Sequence, residues 1–198
     1  MLDAQRRRSM EKMRTFNQSQ GMFTIYDPGY HRVAPELSTP ARAAAVRFEE
    51  TVRRDSIETG AFFSWDGTML SKRSGLVDHA RFLPRDLAGT AGALFTHNHP
   101  SGLSFSCADV GNAIGLGLSE LRAVSPAYRH VMTAMRAWPK ESTIQGVYDE
   151  ELRLAYGDVA DMVNRGELSV QYATAEIHHR AWERASTRLG LNYIREAS

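Results

Sequence analysis

Ala91-Gly92-Ala93-Leu94-Phe95-Thr96-His97-Asn98-His99-Pro100-Ser101-Gly102, followed by Ser106-Cys107-Ala108-Asp109, is the stretch on which the fold turns. An apolar run ends in two imidazoles two residues apart. Side chains alternate between the faces of a strand, so a strand over 91–97 sends His97 and His99 to one side. Pro100 and Gly102 then stop the strand and turn the chain. Asp109 comes ten residues after His99 and opens an apolar helical pattern of Val110, Ala113, Ile114, Gly117 and Leu118. A lone histidine at a strand end is ordinarily a hydrogen-bonded structural residue. Two on one face, joined through a Pro-Ser-Gly turn to a helix-starting aspartate, instead form the three-ligand set of a catalytic Zn2+, with one position left for water.

Working outward, the flanking segments alternate between strand and helix signals. Pro40 to Arg54 reads as a helix with Thr39 as its N-cap. Ile57-Glu58-Thr59-Gly60-Ala61-Phe62-Phe63 is β-prone and carries one acid near its start. Trp65-Asp66-Gly67-Thr68 supplies an Asp-Gly hairpin turn, and Met69-Leu70-Ser71 begins the return strand. A short helix is expected from Pro84 to Ala88. After the Asp109 helix come two strands, Leu121 to Val124 and Tyr128 to Met135, split by Ser125-Pro126. The pattern is that of an α/β domain with a mixed β-sheet flanked by helices.

With these residues in view, His97-x-His99-Pro100 and Ser106-x-x-Asp109 resemble the metalloprotease motif of the JAMM (JAB/MPN) superfamily. His-Asn-His-Pro-Ser-Gly is most similar to its bacterial RadC-like branch, which includes phage and toxin-associated proteins. The resemblance covers residues 55–137. Six residues separate His99 from Ser106, one fewer than the family's usual spacing. Glu58-x-Gly60 is similar to the family's Glu-x-x-Gly strand, with the glycine one place early. The resemblance implies a JAB/MPN, cytidine-deaminase-like fold and hydrolysis of a peptide or isopeptide bond. It implies His97, His99 and Asp109 as zinc ligands and Glu58 and Ser106 as catalytic groups.

Each expected role rests on what the group can do. A carboxylate held off the metal can take a proton from water and pass it to a leaving amine, the role expected of Glu58. A hydroxyl can stabilise the developing oxyanion, the role expected of Ser106, which is also a natural N-cap for the Asp109 helix. Glu49 and Glu50 are weaker candidates for the acid, and read as solvated helix surface. Two alternatives stand beside the hydrolase: a RadC-like DNA-associated module, or a metal-binding interaction domain without peptidase activity. A structural zinc site is disfavoured, because such sites are usually closed by four ligands.

Composition bounds the partners. Lys and Arg total 24 against 23 for Asp and Glu, a net charge of +1, which exerts no global pull on nucleic acid. The expected partner is a protein or peptide substrate. Cys107 is the only cysteine, so no internal disulfide forms and a reducing compartment fits; it reads as a packing residue at the helix start. No secretory signal and no eighteen-residue apolar run is visible, so no membrane association is expected. A cytoplasmic location follows as an expectation, with signal-less export left open.

Residues 1–39 read as an N-terminal arm and 40–140 as the metal-binding core. Residues 141–198 read as a C-terminal helical extension. There Tyr148, Leu152, Leu154, Ala155, Val159, Met162 and Val163 recur at helical spacing, and Gly166 interrupts. A second helix runs from Ser169 to Leu189, with Gly190 as its stop. The two form a helical hairpin packed on the core. His178 and His179 project about 100° apart on that helix and cannot chelate one ion together, so they read as surface or packing residues, with a place at the rim of the metal cleft as the alternative.

Overall fold

The computed structural model describes residues 33–197, so most of the N-terminal arm lies outside the described residues. Helix α1 (Pro40–Val52) begins where Thr39 Oγ1 accepts from the Arg42 amide at 3.2 Å and Pro40 occupies the first turn. Strands β1 (Thr59–Phe63) and β2 (Met69–Ser74) form the hairpin. Then come β3 (Leu94–Asn98), α2 (Cys107–Leu116), β4 (Glu120–Val124) and β5 (Tyr128–Ala134). The chain ends with α3 (Glu141–Asn164), α4 (Ala173–Leu189) and β6 (Leu191–Ala197). The six strands form one mixed sheet in the order β2-β1-β3-β4-β5-β6. Only β3 and β4 are parallel, joined by the α2 crossover; the other pairs are antiparallel.

Three boundaries differ from those expected. The histidine-bearing strand starts at Leu94, because Gly92 turns the chain at φ 75° just before it. The segment after Pro84 is a single 3-10 turn, Pro84–Asp86. Val170–Tyr172 is likewise a 3-10 turn, and α4 begins only at Ala173. The largest difference is β6. Gly190 in the left-handed region (φ 69°) ends α4, and Leu191–Ala197 then pairs along the whole of β5. The C-terminal segment is therefore part of the sheet as well as a helical hairpin.

Alternation divides the sheet into two faces. On one, Ala61, Phe63, Leu94 and Val124 pack against Ala41, Ala44, Ala45, Phe48 and Val52 of α1. On the other, Phe62, Leu121, Ala123 and Met132 join α2, α3 and α4 in a larger core around the fully buried Trp182. The hairpin is thus packed on the core, as its apolar stripe requires. Trp182 Nε1 also donates to the Phe105 carbonyl at 2.7 Å, which ties α4 to the loop between β3 and α2.

Removing residues 141–198 would strip the sheet of β6 and uncover this core. The truncated protein is expected to aggregate rather than remain a monomer, read by size-exclusion chromatography with light scattering. A folded, monomeric, zinc-loaded truncation would show instead that the tail is an independent docking module.

Glu49 corrects its reading as solvated helix surface. It is fully buried on the α1 face, where Oε1 accepts from Thr96 Oγ1 at 2.8 Å and Arg122 Nε at 2.7 Å. Its Oε2 accepts from Arg129 Nε at 2.8 Å. Arg122 also donates to Glu120 at 3.0 Å and Glu196 at 3.1 Å, so the network links α1, β3, β4, β5 and β6. Glu50, one residue on, has a half-exposed side chain. An isolated helix pattern cannot reveal that an acid faces two buried arginines supplied by distant strands. Glu49→Ala leaves both guanidiniums buried without that carboxylate and is expected to cost about 3–5 kcal/mol. A urea midpoint within error of wild type would refute this account of the network.

Candidate metal centre

The site lies at the carboxyl end of β3, between its antiparallel neighbour β1 and its parallel neighbour β4. His97 is the fourth residue of β3 and His99 follows just past its end, held by its amide to the Val124 carbonyl at 2.8 Å. Asp109 reaches them from the first turn of α2. That helix starts with a capping box: Ser106 Oγ accepts from the Asp109 amide at 3.1 Å, while Asp109 Oδ2 accepts from the Ser106 amide at 2.7 Å. One carboxylate thus caps the helix and faces the imidazoles.

His97 Nε2 lies 2.8 Å from His99 Nε2 and 3.5 Å from Asp109 Oδ1; His99 Nε2 lies 3.6 Å from Asp109 Oδ2. Ligands about 2.1 Å from a tetrahedral zinc lie about 3.4 Å apart, and the three separations bracket that value. Among the described residues no other group of His, Cys, Asp and Glu side chains converges this way. His99 Nδ1 donates to the Leu103 carbonyl at 3.0 Å, which fixes its Nε2 as the lone-pair nitrogen. His97 Nδ1 is buried without a hydrogen bond of good geometry, and the Arg122 carbonyl is the backbone acceptor that favours a proton on this ring. Burial disfavours the charged form of His97, yet Asp109 and Glu58 outweigh it and hold His97 above its ordinary range. Burial, reinforced by the His97 charge, pushes His99 down to about 4. Asp109 is held well below the carboxylate range: burial opposes ionisation, but both imidazoles and Ser106 overcome it. Two imidazole nitrogens and a carboxylate thus converge on one point, and this donor set fits a divalent cation.

Glu58 immediately precedes β1 and lies on the same face as His97, since Gly60 pairs with His97 in register. Backbone bonds to Gly75 and Leu76 fix its position, at 2.9 Å and 2.7 Å. Its Oε1 accepts from the Ala80 amide at 3.2 Å. Burial raises its pKa, and Asp109 adds to that while His97 opposes it. Gly60 next door leaves room for Phe95: a Cβ there would come within 2.8 Å of the ring, which stacks at 5.2 Å on His97.

Asn98 is a residue that motif reading missed. It is fully buried on the opposite face from the histidines. Its Oδ1 accepts from the Thr59 amide at 2.7 Å and its Nδ2 donates to the Ile57 carbonyl at 3.0 Å, so it clamps the backbone on both sides of Glu58. The signal was a buried amide between two strand histidines, which must find partners in the adjacent strand.

A cleft with a cavity volume of about 560 Å³ opens here. Glu58, His99, Ser106 and Asp109 line it, with Tyr148 and His178 from the C-terminal hairpin. The structure therefore gathers all five expected site residues around one centre. Ser106 is the N-cap, and its hydroxyl donates to Asp109 Oδ2 at 2.7 Å. Cys107 begins α2 and packs against the core, with burial pushing its thiol up to about 11. His179 is buried, as a packing residue should be, with Nδ1 3.0 Å from the Tyr193 hydroxyl, which also lies 2.8 Å from His130 Nδ1. His178 takes the alternative reading and lines the cleft. No helix among the described residues is long and apolar enough to cross a membrane.

Comparison with family models, curated proteins and solved structures finds no match to this chain.

Proposed function

We propose that this chain is a zinc-dependent hydrolase of the JAMM type that cuts a peptide or isopeptide bond. The observation that carries the reading is the convergence of His97, His99 and Asp109 at the wall of a cleft that His99, Asp109 and a fourth group, the off-set carboxylate Glu58, line. Two imidazoles and a carboxylate suit zinc and leave a coordination position open. When bound there, zinc polarises a carbonyl and lowers the pKa of water to about 7.

The chain's own residues supply the rest. Glu58, fixed by its backbone pairing and by Asn98, accepts a proton from the attacking water and returns it to the leaving nitrogen. Its raised pKa brings it nearer the operating pH, where proton transfer in both directions is efficient. Ser106, at the cleft edge, carries the hydroxyl that turns toward the developing oxyanion. Among the described residues the cleft lining contains no Lys or Arg, which counts against phosphate-backbone binding and so against the DNA-associated alternative.

The test is metal analysis of the purified protein, then cleavage of peptides and ubiquitin-like fusions with and without chelator. One zinc per chain and chelator-sensitive cleavage are expected. A two-histidine, one-carboxylate set also occurs in non-haem iron enzymes, so stoichiometric iron in place of zinc would overturn the reading.

A further inference from the structure

Part of the cleft wall comes from the C-terminal hairpin, and the chemistry described so far does not use it. Tyr148 of α3 and His178 of α4 meet there, with the phenolic oxygen 2.5 Å from His178 Nδ1 and the rings stacked with 27° between their planes. Tyr148 is buried and packs on Trp182 with ring centroids 4.5 Å apart, so the pair stands on the largest fully buried side chain among the described residues. Burial raises the Tyr148 phenol and lowers His178, so both are neutral near pH 7. Of two neutral groups the phenol is the stronger proton donor. The pair therefore settles with Tyr148 donating to Nδ1 and the imidazole proton on Nε2.

The pair lies on a cleft wall that His178 and Tyr148 share with Leu103 and Phe105. The charged lining groups, Glu58, Asp78 and Asp109, are all acids. A single neutral N–H donor with no Lys or Arg beside it among the described lining residues suits an uncharged acceptor such as an amide carbonyl. Resting on the hydrolase reading above, we propose that the Tyr148–His178 pair reads the substrate. His178 Nε2–H binds a backbone carbonyl of a peptide beside the bond being cut, and the adjoining uncharged side chain fills the apolar wall. Tyr148 is a positioning residue that fixes the His178 tautomer.

The test uses the full-length zinc-loaded protein and two metal-anchoring probes, acetohydroxamate and the hydroxamate of N-acetylphenylalanine, measured by calorimetry. Only the second carries a backbone carbonyl and an apolar side chain. His178→Ala is expected to weaken it about tenfold, the usual cost of one lost hydrogen bond in a desolvated site, and to leave acetohydroxamate unchanged. His178→Gln, which keeps an N–H donor, should recover part of the loss, and Tyr148→Phe should show a smaller loss. For a cleaved peptide the same variants should raise KM and spare kcat. Equal weakening of both probes, or no weakening of either, overturns the proposal while the hydrolase reading stands. Failure of the wild-type protein to take up zinc or to bind acetohydroxamate overturns the hydrolase reading first, and the proposal with it.

Discussion

Replacing His97 or His99 with alanine is expected to abolish stoichiometric zinc binding and, with it, hydrolysis, while most of the fold survives. Two remaining ligands hold zinc far more weakly than three; His97 is also buried against Phe95, so its variant loses some packing besides, whereas His99 is partly exposed. Metal analysis after gel filtration, with circular dichroism as the fold control, checks this; full zinc occupancy in both variants would sink the site assignment. Asp109→Ala is expected to weaken zinc binding and also to loosen α2, because the same carboxylate closes the capping box with Ser106. The wild-type site should show a pH signature. His99 is already neutral above about 4, whereas His97 is held above its ordinary range. Zinc uptake must therefore displace the His97 proton. Affinity is expected to fall about tenfold per pH unit below the His97 pKa, with no such dependence above it.

Glu58→Gln is expected to keep zinc and lose about 10²-fold or more of the hydrolytic rate, because the amide preserves shape but cannot accept the proton. The backbone clamps on this segment do not involve the Glu58 side chain, so the variant should fold normally. Steady-state turnover beside zinc content decides the matter. Normal turnover would return Glu58 to a structural role. Loss of zinc in the variant would show that the carboxylate is itself a ligand. Glu49, a competitor on sequence grounds, is removed from contention by its place on the opposite face of the sheet, bound to Arg122 and Arg129.

The legible parts of this protein are those where local chemistry dictates local structure. The period of two puts His97 and Glu58 on one sheet face, and the Asp66-Gly67 turn closes the first hairpin. Ser106 and Asp109 cap their own helix start, and Thr39-Pro40 opens α1. The two apolar stripes of the C-terminal segment foretell a hairpin that must be buried. These follow from backbone geometry and nearest-neighbour hydrogen bonding, which a sequence carries in full.

What only the tertiary structure decided depends on partners far apart in the chain. Glu49 looks like helix surface until β4 and β5 bring Arg122 and Arg129 beneath it. Asn98 gains its function as a clamp only when β1 is laid beside β3. Leu191–Ala197 has no strong strand signal of its own, and becomes β6 because the free edge of β5 offers it a full ladder. His178 reaches the cleft through the packing of α4 on α3, which no spacing along the chain encodes. The physical reason is common to all four. A buried charge, an amide or an edge strand is stable only with its complement, and here that complement lies outside the segment that carries it.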